Sequence, residues 1–171
     1  PIFNSKKNTL TSKRKNTFIY PTSEQPHKNN KRLINAFIKV AESTERLVHL
    51  SLTIEKMKVD LPKNLKLYFL GLVDQNKLIN EYSISQFLIF PSSKESFGLP
   101  LIEGIQSNCH VIASNLDYVN ELITPSYFFD PNDVQSITEV ILLALSNKNH
   151  PNSTIKVRNK IDSIFRKLKN V

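Results

Sequence analysis

The sequence predicts a doubly wound, Rossmann-like α/β fold built on about six parallel strands. Short apolar runs alternate with amphipathic stretches along most of the chain. Several of these runs are apolar at nearly every position, which is the pattern of strands covered on both faces of a parallel sheet. Most of them stop at Pro or Gly before a polar loop, as successive βα units require.

NTFIYP (16–21) is a short β-type run closed by proline, and KNNKRLINAFIKVAES (28–43) follows with Leu33, Ile34, Phe37, Ile38 and Ala41 at helical spacing. RLVHLSLTI (46–54) alternates as a strand does, and LKLYFLG (65–71) is a buried strand stopped by glycine. NKLINEYS (76–83) is a short helix, QFLIFP (86–91) a continuous apolar strand, LPLIEGIQS (99–107) the next helix and HVIAS (110–114) the next strand. YFFDP (127–131) reads as the last strand and VQSITEVILLALSN (134–147) as an amphipathic helix. These boundaries divide the chain into a basic linker (1–15), the α/β domain (16–147) and a basic amphipathic C-terminal helix (148–171). In that last helix Ile155, Val157, Ile161, Ile164, Phe165 and Leu168 share one face.

A length of 171 residues, 40% of them apolar and 22% charged, suits one domain with a real core. No apolar run reaches the 18 residues of a membrane span, and no signal peptide opens the chain. The single cysteine, Cys109, excludes an internal disulfide framework and a CxxC metal site, which fits a reducing cytosol. The chain opens on Pro1, not on Met, and is read as an excised or processed piece. Its net charge of +8 is uneven: residues 1–32 carry +7, residues 147–171 carry +6 and residues 33–146 carry −5. Basicity therefore belongs to the two ends, where peripheral contact with anionic lipid is one reading and a solvated surface the plainer one. A basic membrane-binding or nucleic-acid-binding domain is one alternative reading, although no aromatic-rich RNA-binding strand supports contact with nucleic acid.

In open α/β sheets ligands bind beyond the carboxyl ends of the strands. Two polar segments fall there, PTSEQPHKNN (21–30) and PSSKESFG (91–98), and the topology puts both on one edge of the sheet. The second leads into KESFGLPLIEG (94–104), which holds two of the chain's three glycines and the carboxylates Glu95 and Glu103. Pro100 suits the start of a helix and places Glu103 in its first turn. Gly98 permits positive φ and close approach of a ligand to the backbone. The free N–H groups around Phe97 to Leu101 suit phosphate or carboxylate oxygens. Ionised carboxylates only accept hydrogen bonds, so acceptors on both sides of an amide-lined turn fit a ligand with hydroxyls and phosphates, such as a sugar nucleotide. A dipole-favoured Glu103 beside an ordinary surface Glu95 is the plain alternative. Glycoside hydrolysis by the carboxylate pair is weaker still, because the turn prefers anions.

PSSKESFGLPLIEGIQSNCHVIASNLDYVNEL (91–122) resembles the donor-binding signature of glycosyltransferase family 4, the glycosyl transferases group 1, enzymes of GT-B architecture with two Rossmann-like domains. The family's E-x7-E motif matches Glu95 and Glu103. FIYPTSEQPHKNNKRLINAF resembles the first strand, basic loop and helix of its carboxyl-terminal domain, LYFLGLVDQNKL its nucleotide loop and YFFDPND its closing segment. The resemblance covers roughly residues 16–147. It implies the donor-binding half of a glycosyltransferase (a hexosyltransferase) that moves a sugar from a nucleotide diphosphate to a glycan or lipid-linked acceptor with retention. A non-catalytic nucleotide-binding module is a further alternative. By the same resemblance, Glu95 holds the donor sugar's hydroxyls, and the backbone of Phe97, Gly98 and Leu99 meets sugar and pyrophosphate. Glu103 binds the ribose, Lys28 neutralises the diphosphate, and Leu72 and Val73 border the base. Lys28 and Glu95 are thereby the catalytic pair.

The resemblance further implies an amino-terminal acceptor domain as partner, poor activity of this half alone, no cofactor and no metal. A UDP-sugar is expected ahead of a GDP-sugar, in bacterial surface polysaccharide synthesis, in the cytoplasm or peripherally at the inner membrane face. The chain departs from the family where Pro21-Thr22-Ser23 stands for the usual Gly-Arg, leaving His27, Lys31 or Arg32 to compensate, and where Asn108-Cys109-His110 stands for Gly-x-Pro. Cys109 is read as a small buried side chain, His110 as a strand-edge residue, and His49 and His150 as structural or exposed.

Overall fold

The computed structural model describes residues 12–156. Its elements follow in order: β1 (Arg14–Tyr20), a 3-10 turn (Pro26–Lys28), α1 (Asn30–Glu42), β2 (Val48–Leu52), β3 (Leu65–Phe69), α2 (Gln75–Ile84), β4 (Ser85–Phe90) and α3 (Leu99–Gln106). Then come β5 (His110–Ser114), α4 (Asp117–Leu122), β6 (Ile123–Thr124), β7 (Tyr127–Phe129), α5 (Val134–Ser146) and β8 (Thr154–Ile155). Six strands form one sheet in the order β3-β2-β1-β4-β5-β7, every pair parallel. The chain winds outward from β1 to β3, returns through α2 to β4 and winds the other way. The reversal falls between β1 and β4, and there the loops that follow two neighbouring strands diverge.

The strands form because they are apolar where both faces are covered. Phe87, Leu88, Ile89 and Phe90 of β4 are all buried, as are Val111 to Ala113 of β5. Phe18 stacks on its register neighbour Phe87 with ring centroids 4.8 Å apart, and Phe37 of α1 meets Phe18 edge-on at 5.0 Å. Helices α1 and α5 pack on each other, and α3 lies against β4 and β5. Gly104 lets α3 come that close: a Cβ there would sit 2.5 Å from Leu88 Cδ2.

The structure departs from the sequence-based expectations at the edges. β1 starts at Arg14, inside the expected linker, because Arg14 pairs with Ser85. Helix α4 has only six residues, too few for a periodic signal. Residues 148–156 of the expected C-terminal helix (148–171) are not helical. Ser153 Oγ instead accepts from the N–H groups of Val111 (2.9 Å) and Ser126 (3.0 Å), and Thr154–Ile155 pair antiparallel with β6. The rest of that expected helix (157–171), and residues 1–11 of the expected linker, lie outside the described residues.

His150, expected to have no constellation, sits at the N-terminal end of the sheet. Its Nδ1 is 3.0 Å from the Tyr127 hydroxyl and its Nε2 is 3.1 Å from Gln86 Nε2. Gln86 Oε1 already accepts from the Asn16 N–H, so the Gln86 amide group faces the imidazole as a donor. His150 Nε2 must therefore accept, which requires a neutral ring. His110 packs on it with centroids 4.6 Å apart. Burial lowers the pKa of both rings below the ordinary 6.5, and the neighbouring imidazole lowers that of His150 further.

A histidine whose folded pKa is depressed stabilises fully above its unfolded value, and the stabilisation is lost as pH falls through the folded value. In urea denaturation between about pH 7.5 and 5.5, stability should therefore fall with acidification, and His150→Gln should flatten the fall relative to wild type. An identical slope in both proteins would show that the pair does not titrate with folding.

Candidate functional site

The loops after β1 and β4 meet at the reversal and are stitched there by main-chain bonds. The Ser93 N–H donates to the His27 carbonyl at 2.8 Å, and the Ser92 hydroxyl reaches the same oxygen at 3.2 Å. Pro26 opens the 3-10 turn that carries Lys28, closed by the Lys28 N–H on the Gln25 carbonyl at 3.0 Å. Asn29 follows at φ 63°, the left-handed region that asparagine tolerates better than most residues. Its amide donates to the carbonyls of Pro131 (2.6 Å) and Pro91 (3.3 Å), tying the loop after β7 to the other two. Beneath this layer the buried Tyr20 hydroxyl donates to the Lys28 carbonyl at 2.8 Å.

Across the junction Lys28 Nζ contacts Glu95 Oε1 at 2.6 Å, with side-chain exposures of 17% and 13%. Tyr118 of α4 supports the Glu95 loop by donating to the Ser92 carbonyl at 2.8 Å. Burial and then the charge of Glu95 push the Tyr118 phenol well above its usual range, so it remains a donor at neutral pH. Gly98 adopts φ 58° just before α3, where Leu122 Cδ2 lies 3.1 Å from the position of a Cβ. Pro100 is the second helical residue and has no N–H, and the Leu101 N–H donates to the Gly98 carbonyl at 3.0 Å, so neither of these residues supplies the free N–H expected between Phe97 and Leu101.

Of the expected site residues, the structure brings Lys28 and Glu95 into contact, and the Gly98–Leu99 turn follows three residues after Glu95 in the same loop. Phe97 and Leu99 are 74% and 50% exposed at that edge. Glu103 is the fifth residue of α3, not part of its first turn as expected, because the helix starts at Leu99. It joins α2 instead, accepting at Oε2 from the Tyr82 hydroxyl at 2.9 Å. Leu72 is fully exposed and Val73 half-buried in the loop after β3, two strands away from β1. Gly71 turns that loop at φ 62°. Arg32, a candidate second cation, is directed to Asn29 Oδ1 (2.5 Å) and the Pro131 carbonyl (3.3 Å), so it braces the loops.

Sequence reasoning passed over Asn29, Tyr20, Tyr82 and Tyr118. Asn29-Asn30 before a helix is a turn signal that could have marked the first. The three tyrosines act through partners distant in sequence and leave no local trace.

Fold and site together define a doubly wound domain of the kind found in GT-B glycosyltransferases, with the Lys28–Glu95 ion pair and the Gly98 turn in the loops at its topological switch. Residues 2–160 match the family described as glycosyl transferases group 1, and the chain belongs to that family. It is 33% identical over 148 residues to the O-antigen chain mannosyltransferase RfbU of Salmonella typhimurium, covering 79% of this chain and 41% of that protein. It is 27% identical over 136 residues to the serotype-specific mannosyltransferase WbdA of Escherichia coli, covering 72% of this chain and 17% of that one. The chain thus spans less than half the length of these relatives. Among solved structures, the C-terminal domain of the group 1 glycosyl transferase LpcC from Francisella tularensis superposes with a TM-score of 0.63 at 21% identity, over 79% of this chain and 78% of that one. The catalytic domain of cholesterol-α-glucosyltransferase from Helicobacter pylori gives 0.60 at 20% identity, over 77% of this chain and 87% of that one, and shares the fold.

The Asn29 clamp yields a direct test. Asn29→Gly keeps the left-handed turn and loses the side chain's three hydrogen bonds, to Pro131, Pro91 and Arg32, whereas Asn29→Ala loses these bonds and disfavours the turn. Urea denaturation should show losses of about 1–2 kcal/mol for Gly and about 1 kcal/mol more for Ala. Equal stability of both variants and wild type would mean the clamp holds nothing.

Proposed function

We propose that this chain is the donor-binding half of a glycosyltransferase that moves a hexose from a nucleoside diphosphate to a glycan or lipid-linked acceptor. One observation carries the reading: at the switch point Lys28 and Glu95 sit in contact beside the Gly98 turn. In the free protein the two charges neutralise each other. A sugar nucleotide would separate them, giving phosphate oxygens to the Lys28 ammonium and sugar hydroxyls to the Glu95 carboxylate. As the bond between the anomeric carbon and the phosphate oxygen breaks, its electron pair leaves with the diphosphate. Lys28 and main-chain N–H groups around Gly98 would stabilise that growing negative charge, the preorganised electrostatics on which such transfers depend. No metal enters this scheme.

The mannosyltransferase names of the relatives support mannose as the sugar and a bacterial surface polysaccharide as the setting. Uridine is the proposed base, bordered by Leu72 and Val73, with Glu103 receiving the ribose. Retention of configuration, an acceptor held by a second, amino-terminal domain, and work on the cytoplasmic side belong to the same proposal.

Calorimetry with UDP, GDP, their mannose and glucose conjugates and inorganic pyrophosphate tests it. Lys28→Met should weaken every diphosphate ligand about tenfold or more. Glu95→Gln should leave the bare nucleotide as tight or tighter, since Lys28 is released, and erase the increment contributed by the sugar. Glu103→Ala should weaken the nucleotides and spare pyrophosphate. If all three variants bind every ligand as wild type does, the crevice is not the site.

A further inference from the structure

Tyr82 lies in the last part of α2 with 1% of its surface exposed. Its carbonyl accepts from Lys13 Nζ at 2.6 Å and from the Cys109 thiol at 3.3 Å, which ties the end of α2 to the start of β1 and the approach to β5. Its main chain is therefore held from two sides while its ring crosses to α3. There the hydroxyl donates to Glu103 Oε2. Glutamate has three rotatable side-chain bonds, and an unanchored carboxylate loses their freedom on binding a ligand. Anchored by Tyr82, Glu103 still offers Oε1 and the remaining lone pair of Oε2 as acceptors.

We propose that Tyr82 is a positioning residue for the donor's ribose: it fixes the Glu103 carboxylate in the orientation that accepts from the two ribose hydroxyls. The assignment rests on the reading of the crevice as a sugar-nucleotide site. Tyr82 touches no ligand and acts through Glu103 alone. Burial, and then the Glu103 charge, push its phenol far above the usual range, so the bond persists across physiological pH. A hydroxyl that is merely satisfied by a convenient carboxylate would give stability and nothing else. A positioning hydroxyl gives discrimination between ligands that differ only at the ribose.

The test uses the 171-residue chain and Tyr82→Phe, which keeps the ring and removes the hydroxyl. Calorimetry compares UDP, its dideoxyribose counterpart and inorganic pyrophosphate, with GDP and its dideoxyribose counterpart in parallel. Wild type should prefer the ribose form by about tenfold or more. In Tyr82→Phe that preference should shrink to about two- to threefold, with pyrophosphate affinity unchanged. Adding Tyr82→Phe to Glu103→Gln should cost nothing further. A full ribose preference in Tyr82→Phe would overturn the proposal, and so would an equal loss for all three ligands. If Tyr82→Phe does not fold, fluorotyrosine at position 82 retains the hydroxyl and reports by fluorine NMR. Its resonance should move with the ribose ligand and not with the dideoxyribose one, and equal movement with both would overturn the proposal. Failure of wild type to bind any nucleoside diphosphate would instead overturn the reading of the crevice itself.

Discussion

The rest of the site depends on β1 and β4 lying side by side and parallel at the centre of the sheet. Two strands that end together must release their loops together, and the winding direction reverses between them, so a crevice opens where the loops part. Loops of this kind leave main-chain groups unpaired unless they bond to each other. The Ser93–His27 bond, the Asn29 clamp and the Tyr20 and Tyr118 hydroxyls answer that need. The Lys28–Glu95 contact is the result of this stitching and not its cause. A partly buried ion pair returns little net stability once desolvation is counted, so a pair held across a crevice costs little to open for a ligand that supplies better partners.

The three glycines divide the remaining work. Gly71 and Gly98 turn the chain at positive φ at the ends of the loop after β3 and the loop after β4. Gly104 is a packing residue that lets α3 rest on Leu88 of β4, which keeps the opening turn of α3 at the level of the strand ends. A larger residue there would push the helix away and move its N–H groups off the crevice. Support from below is largely aromatic: Phe18, Phe37 and Phe87 fill the centre, and the buried Tyr20 turns its hydroxyl into the loop layer. The opposite end of the sheet carries a separate polar cluster around His150, which ties the segment after α5 back to β4 and β7.

Much of this was legible because burial writes itself into strands such as QFLIF, where every residue from Phe87 to Phe90 is covered. The shared edge of the loops at Lys28 and Glu95 was legible too, since alternating topology forces it. What stayed hidden depends on partners remote in sequence. Tyr82 looks like any helical aromatic until Glu103 is found beside it, and Asn29 looks like any turn residue until the Pro131 carbonyl arrives. The segment at Thr154–Ile155 carries a helical pattern that pairing with β6 overrides, an instance of tertiary bonds outweighing local periodicity. Helix α4 was too short to announce itself, although its Tyr118 and Leu122 both press on the site.

The central claim is a location: a sugar nucleotide enters at the reversal between β1 and β4. Amide NMR of the isotopically labelled chain, titrated with UDP-mannose and GDP-mannose, tests it most directly. The largest shifts should fall on residues 27–29, 93–99, 101 and 71–73, while the amides around His110, His150 and Thr154 stay still. Shifts centred on the His150 end of the sheet, or none at the Gly98 turn with either ligand at saturation, would contradict it.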